Sequence, residues 1–257
     1  MAEIDLNCDV GESFGAYKLG FDEEIIKHVS SANIACGFHA GDPMVMQQTM
    51  KLAKTYEVKV GAHPGYPDLL GFGRRDMAVA PTDVKSYLIY QIGALQAFAR
   101  VEGLELQHIK PHGALYNTAV ENPKLAQAIA EAVRSLDEGL ILVALAGSAW
   151  VNIAKEQGLR VAGEAFADRA YSADGRLVPR SQPGAVIKDK KIVAERVIRM
   201  IEEGQVRAIT GEDITINADT ICLHGDTPGA LELAVHLRGA LQDRGISIAP
   251  LEDVVEK

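Results

Sequence analysis

The sequence of 257 residues predicts a parallel α/β fold of repeated β/α units, and three observations point to it. Short runs rich in apolar or β-branched residues alternate with longer stretches of helical periodicity. Three of the helical stretches open with a capping side chain followed by proline. Charged and imidazole side chains stand directly after successive short runs, where the carboxyl ends of strands meet in a parallel sheet or barrel.

Along the chain, the candidate strands are residues 4–8, 33–36, 58–62, 106–109, 140–145, 159–162 and 220–223. Asp42-Pro43, Asn122-Pro123 and Thr227-Pro228 mark helix starts, because proline lacks only an N–H that the first helical turn would leave unpaired. From Pro81 or Thr82 to Glu102, the positions Val84, Tyr87, Leu88, Leu95 and Phe98 keep helical spacing, and Gly103 supplies a stop. Residues 188–203 repeat the pattern through Ile192, Val193, Val197, Ile198 and Ile201. Residues 65–80 and 166–183 break the rhythm with glycines, prolines and the pairs Arg74-Arg75 and Asp168-Arg169. Loops of such length in a compact domain are usually functional, so both are candidate walls or a lid.

With 47% hydrophobic and 24% charged residues, the chain has the composition of a globular protein with a sizeable core. No repeat, low-complexity tract or linker interrupts it, so one domain over residues 1–257 is expected. The net charge of −9 argues against nucleic acid and anionic lipid as partners, while local arginines can still recruit a small anion. Three cysteines without CxxC spacing form neither a disulfide framework nor a zinc knuckle. Met1 to Asp5 has no basic n-region, and no apolar run approaches the roughly 18 residues of a membrane span. A cytoplasmic location is expected.

The polar groups after the strands are Asp9 and Glu12, His39 and Asp42, His63, Lys110 and His112, and His224 and Asp226. Asp42 and Asp226 also suit N-caps, and each histidine alone could be a packing residue. Recurrence of acid, base and glycine after strand upon strand, which independent capping does not require, favours one pocket. His28 and His236 fall inside helical patterns and read as surface residues. Cys8, Cys36 and Cys222 read as buried packing thiols.

The segments DLNCDVGE (5–12), NIACGFHAGDP (33–43), GAHPGYPD (61–68), FGRRDM (72–77), HIKPHGALY (108–116) and CLHGDT (222–227) together resemble the LamB/YcsF family. The resemblance implies a single-domain (β/α) barrel of seven units, akin to the metal-dependent carbohydrate deacetylases. It also implies a 5-oxoprolinase activity, cleavage of 5-oxoproline to L-glutamate coupled to hydrolysis of ATP, carried out with partner subunits B and C. Carried onto these motifs, the candidate catalytic residues are Asp9, Glu12, His39, Lys110, His112 and Asp226. Asn7, Asp42, His63, Arg74, Arg75 and His224 are the candidate substrate contacts.

ATP rests on the resemblance alone, since the sequence has no G-x-x-x-x-G-K-[ST] segment and no G-x-G-x-x-G after a candidate strand. A divalent metal is open, with Asp9, His63 and His112 as the tentative ligands. The rival readings are a stand-alone metal-dependent deacetylase of an N-acetylated sugar and a non-catalytic lactam-binding subunit.

Overall fold

The computed structural model describes residues 2–223 and 229–255. Ten strands are present among them: β1 (Glu3–Val10), β2 (Ser31–Ala35), β3 (Lys59–His63), β4 (Leu106–Ile109), β5 (Ile141–Leu145), β6 (Arg160–Phe166), β7 (Gln205–Arg207), β8 (Asp213–Thr215), β9 (Thr220–Leu223) and β10 (Ser247–Ile248). Strands β1 to β6 and β9 pair in sequence order, all parallel, and β9 returns to β1 to close a barrel of seven. Closure removes the exposed edges that an open sheet would present. All seven expected strands are therefore present. The antiparallel β7–β8 pair and the short β10, which pairs in parallel with the amino end of β1, are additions to the expected set.

Helices α1 (Asp22–Ile25), α2 (Pro43–Thr55), α3 (Pro81–Glu102), α4 (Gly113–Glu121), α5 (Pro123–Leu136), α6 (Ala149–Glu156), α7 (Lys190–Glu203), α8 (Ala230–Asp243) and α9 (Leu251–Val254) pack around and across the barrel. The Asp42 carboxylate accepts from the N–H groups of Met44 and Val45, and Asn122 does the same for α5, as the capping argument requires. Gly103 ends α3 in the left-handed region. The start expected at Thr227-Pro228 lies outside the described residues. Among the described residues, no helix is long and apolar enough to cross a membrane.

Alternation along the strands splits two kinds of core. In β1 the residues Ile4, Leu6, Cys8 and Val10 join the main apolar cluster, while Asp5, Asn7 and Asp9 enter hydrogen bonds and ion pairs with the other barrel strands. A polar barrel interior is tolerable only if its groups satisfy one another. Asp5 accepts from Ser30, Ser31 and Thr220; Asn7 donates to Thr220 and Glu164; Asn33 donates to Asn7 and Asp9. The interior is thus a hydrogen-bonded column that rises toward the carboxyl ends.

Gly61 makes room for this column, since a Cβ there would clash with the His108 ring. His108 is held in place by Asn33 Oδ1 at 2.7 Å and cannot simply swing away. Gly61→Ala should therefore destabilise the protein by about 1–3 kcal/mol, read as a lower denaturation midpoint at unchanged m-value.

Asp5 gives a pH signature. Its complete burial pushes its carboxyl up to about 6 from 3.8, against the lowering effect of its three hydroxyl donors. The folded state therefore binds this proton more tightly than the unfolded chain, and the stability the protonated form contributes is lost as pH rises from about 4 to about 6. Asp5→Asn escapes that loss. The melting temperature of Asp5→Asn relative to wild type should accordingly be more favourable at about pH 8 than at about pH 5; an unchanged difference would remove Asp5 from the pH response.

Candidate active site

The column ends at Lys110, which directly follows β4. Its ammonium lies 2.9 Å from Asp9 Oδ1 and 2.9 Å from Glu164 Oε1, and it also donates to Asn7 Oδ1 and Cys222 Sγ. Burial alone would depress this ammonium, but the two carboxylates reverse that and hold it well above the ordinary lysine range. Cys222 is a neutral thiol, its ionisation pushed well up by burial, and burial likewise raises Cys8 and sets Cys36 at about 12. The three cysteines are packing residues, as expected.

Beside Lys110 stands a group of imidazoles. His63, the last residue of β3, directs Nδ1 to the Lys110 carbonyl at 2.6 Å and Nε2 toward Asp9 Oδ2 at 3.4 Å. His112 directs Nε2 to the Phe72 carbonyl at 2.8 Å, and its Nδ1 lies 3.0 Å from His63 Nε2. His39 stacks flat on His112, with ring centroids 3.8 Å apart. Burial drives both His39 and His112 far below the ordinary imidazole range, with the neighbouring histidines adding to it. Ligand atoms of the buried residues Glu12, His39, His63 and His112 all lie within 4.8 Å of one another, a grouping that could hold a divalent metal.

The chain closes in around these rings without leaving space for side chains. A Cβ at Gly65 would meet His39 at 2.6 Å, and one at Gly73 would meet both His39 and His112. Gly73, at φ +61°, also uses a backbone conformation that L side chains rarely adopt.

Above the rings opens a cavity of about 920 Å³. Asp9, His63, Lys110 and His112 form its polar floor, while Tyr116, Leu145 and Phe166 supply apolar wall. Both long loops expected as walls contribute to it, residues 65–80 through Arg74, Asp76 and Met77, and residues 166–183 through Arg169, Arg176 and Arg180. Arg169 is nearly buried, hydrogen-bonded to the Val178 and Ala185 carbonyls, and is pulled down to about 10 by burial and by Arg180, so it stays charged at neutral pH.

The structure thus brings Asp9, His63, Lys110, His112 and Arg74 to one cavity, and buries Asn7, Glu12 and His39 beneath or beside its floor. Among the described lining residues neither Asp42 nor Arg75 appears. Asp42 caps α2 and accepts from Gly15 N–H at 2.7 Å, and Arg75 pairs with Asp68 within its own loop. Two members of the tentative metal set, His63 and His112, recur in the ligand group, while Asp9 engages Lys110 and Asn33. His224 and Asp226 lie outside the described residues.

Glu164 escapes the sequence reading because the sixth candidate strand stops at residue 162, whereas β6 runs to Phe166 and carries Glu164 into the barrel. Ala165 and Phe166 resume the apolar run after Gly163, and continuing the strand through the glycine is the signal that could have found it. Asn33 and His108 lie inside the family-like segments without an expected role; the period-two spacing of His108 before Lys110 marks it in the sequence, whereas Asn33 meets Asn7 only across two paired strands.

A closed barrel of seven parallel strands, with carboxylates, imidazoles and a lysine gathered at the carboxyl ends, defines a (β/α) barrel whose polar site sits at the strand-end face. The chain belongs to the LamB/YcsF family, whose model matches residues 4–256. It is 58% identical over 252 residues to a Pyrococcus abyssi protein named as the A subunit of 5-oxoprolinase, spanning 98% of this chain and 99% of that relative. The crystal structure of a lactam utilization protein from Thermus thermophilus matches with a TM-score of 0.92 at 50% identity, over 96% of this chain and 99% of the other. A peptidoglycan deacetylase from Bacillus subtilis, at 14% identity and a TM-score of 0.50 over 98% of this chain and 91% of that one, shares the fold alone.

Proposed function

We propose that this chain is the ring-opening subunit of an ATP-dependent 5-oxoprolinase, forming L-glutamate from 5-oxoproline with partner subunits B and C. The observation that carries the reading is a cavity floored by the Lys110–Asp9 pair and walled by arginines, in a chain 58% identical to a relative named as the A subunit of 5-oxoprolinase.

A five-membered lactam has a resonance-stabilised amide and a poor leaving group, so water attack at neutral pH needs activation. In this proposal the partners transfer a phosphoryl group from ATP to the lactam oxygen, releasing ADP, in keeping with the lack of a phosphate-cradling glycine loop in this sequence. Water then adds to the ring carbon, with Asp9 accepting its proton, and the C–N bond breaks as the departing nitrogen takes up a proton. A second water releases phosphate from the resulting acyl phosphate. Asp9 is suited to the task because Lys110 and Asn33 fix one of its oxygens at the cavity floor. Lys110 places positive charge where the oxyanion develops, and Arg74, Arg169 and Arg180 offer guanidinium groups to the substrate carboxylate and phosphate. Glu12, His39, His63 and His112 would hold a divalent ion, whose contribution there is Lewis-acid polarisation of a substrate oxygen.

The test is glutamate release from 5-oxoproline by this chain alone and with the two partner subunits added. Glutamate is expected only from the mixture and only with ATP. Acetate release from an N-acetylated sugar by the chain alone would overturn the reading in favour of a deacetylase, and full complex turnover after His112→Ala would reduce the chain to a non-catalytic subunit.

A further inference from the structure

The hydrogen bonds of two histidines fix their tautomers. A backbone carbonyl only accepts, so His63 must carry hydrogen on Nδ1 to donate to the Lys110 carbonyl, and His112 must carry hydrogen on Nε2 to donate to the Phe72 carbonyl. In neutral rings the remaining nitrogens, His63 Nε2 and His112 Nδ1, are then both bare lone pairs. Yet they face each other at 3.0 Å, and Asp9 Oδ2, a third acceptor, lies 3.4 Å from His63 Nε2. Acceptors converge this way only around a cation.

The cation is either a proton shared by the two rings or a metal ion, and His39 separates these cases. Its ring is fully buried, and neither nitrogen has a hydrogen-bond partner among the described residues. A proton between His63 and His112 would satisfy that pair and leave His39 stranded. A metal ion would engage His39 and the buried Glu12 carboxylate as well, since these four residues form one group of ligand atoms. Imidazole nitrogens with one carboxylate suit a divalent transition metal better than calcium or magnesium, which favour all-oxygen sites.

We propose that a divalent transition-metal ion of the zinc type resides here, ligated by His63 Nε2 and His112 Nδ1 with Glu12 and His39, and that the Lys110 and Phe72 carbonyls are positioning groups that aim the two lone pairs. Asp9 is not part of that four-residue group: its Oδ1 is held by Lys110 and Asn33, and its Oδ2, 3.4 Å from His63 Nε2, adds negative charge beside the ion without ligating it. The inference does not depend on the ring-opening assignment, because it follows from donor and acceptor chemistry within the chain.

The experiment uses the whole chain, stripped with chelator and checked for retained fold by circular dichroism, then titrated with Co²⁺ by calorimetry and visible absorption. One ion per chain is expected, with the d–d bands of a nitrogen and oxygen ligand set, displaced by Zn²⁺. His112→Ala and Glu12→Gln should weaken uptake at least tenfold, while Asp42→Ala, at the α2 cap, should bind as wild type. Long-range ¹H–¹⁵N spectra of the unsubstituted chain give a readout that needs no variant. With Zn²⁺ added, His63 should show hydrogen on Nδ1 only and His112 on Nε2 only, with the opposite nitrogens shifted by the metal. A folded chain that takes up no Co²⁺, or spectra with a proton shared between the facing nitrogens under saturating Zn²⁺, would overturn the proposal.

Discussion

Lys110→Met should lower stability by about 3–5 kcal/mol, the largest loss expected of any single substitution described for this protein. The ammonium is enclosed by Asp9 and Glu164, each 2.9 Å away, and replacing it leaves two carboxylates in the barrel with no cation between them. For a chain of this size the change corresponds to a melting temperature lower by roughly 10 °C, measurable by calorimetry. The exposed pair Lys190–Glu232 provides the contrast, since its loss should move stability by less than about 1 kcal/mol. The double variant Lys110→Met with Glu164→Gln should recover part of the loss by removing one uncompensated charge, and recovery distinguishes buried charge from simple loss of packing. A Lys110→Met variant as stable as the wild type would contradict the ion-pair account of the barrel interior.

Asp9→Asn should leave the fold in place and remove the reaction. The amide keeps the shape of the carboxylate, and its oxygen can still accept from Asn33 and Lys110, while Glu164 remains to pair with the lysine. What is lost is the basic group at the cavity floor. In the reconstituted complex kcat should fall by about 10²–10⁴-fold, with a melting temperature within a few degrees of wild type. Near-complete turnover in this variant would exclude Asp9 as the base.

Much of this arrangement is legible in the sequence because barrel strands write their function in register. Asp5, Asn7 and Asp9 are spaced two apart in a strand whose other core residues are apolar, and that alternation alone names the polar face. Lys110 and His112 follow a strand bounded at the same residues by sequence and structure, so their position at the carboxyl end can be read from the chain. Glu164 is hidden because the apolar run of its strand breaks at a glycine. The β7–β8 pair is hidden for a different reason: strands of three residues give too little periodicity to detect.

The arginines mark the limit of local reasoning. Arg74 and Arg75 are adjacent and chemically identical, yet Arg74 lines the cavity and Arg75 turns back to Asp68. Their division depends on the path of a long loop, which the sequence does not encode in any period. Arg169 and Arg180 reach the cavity from a second loop distant in the chain, so only tertiary structure joins them to Arg74.

Diffraction from crystals of this chain grown with 5-oxoproline would show whether the cavity at the strand ends receives the lactam over Asp9, Lys110 and His112. Ligand density is expected in the cavity, with the ring within hydrogen-bonding reach of Lys110 or His112 and the carboxylate against Arg74, Arg169 or Arg180. Density for 5-oxoproline at any other surface, with this cavity filled only by water, would contradict that placement.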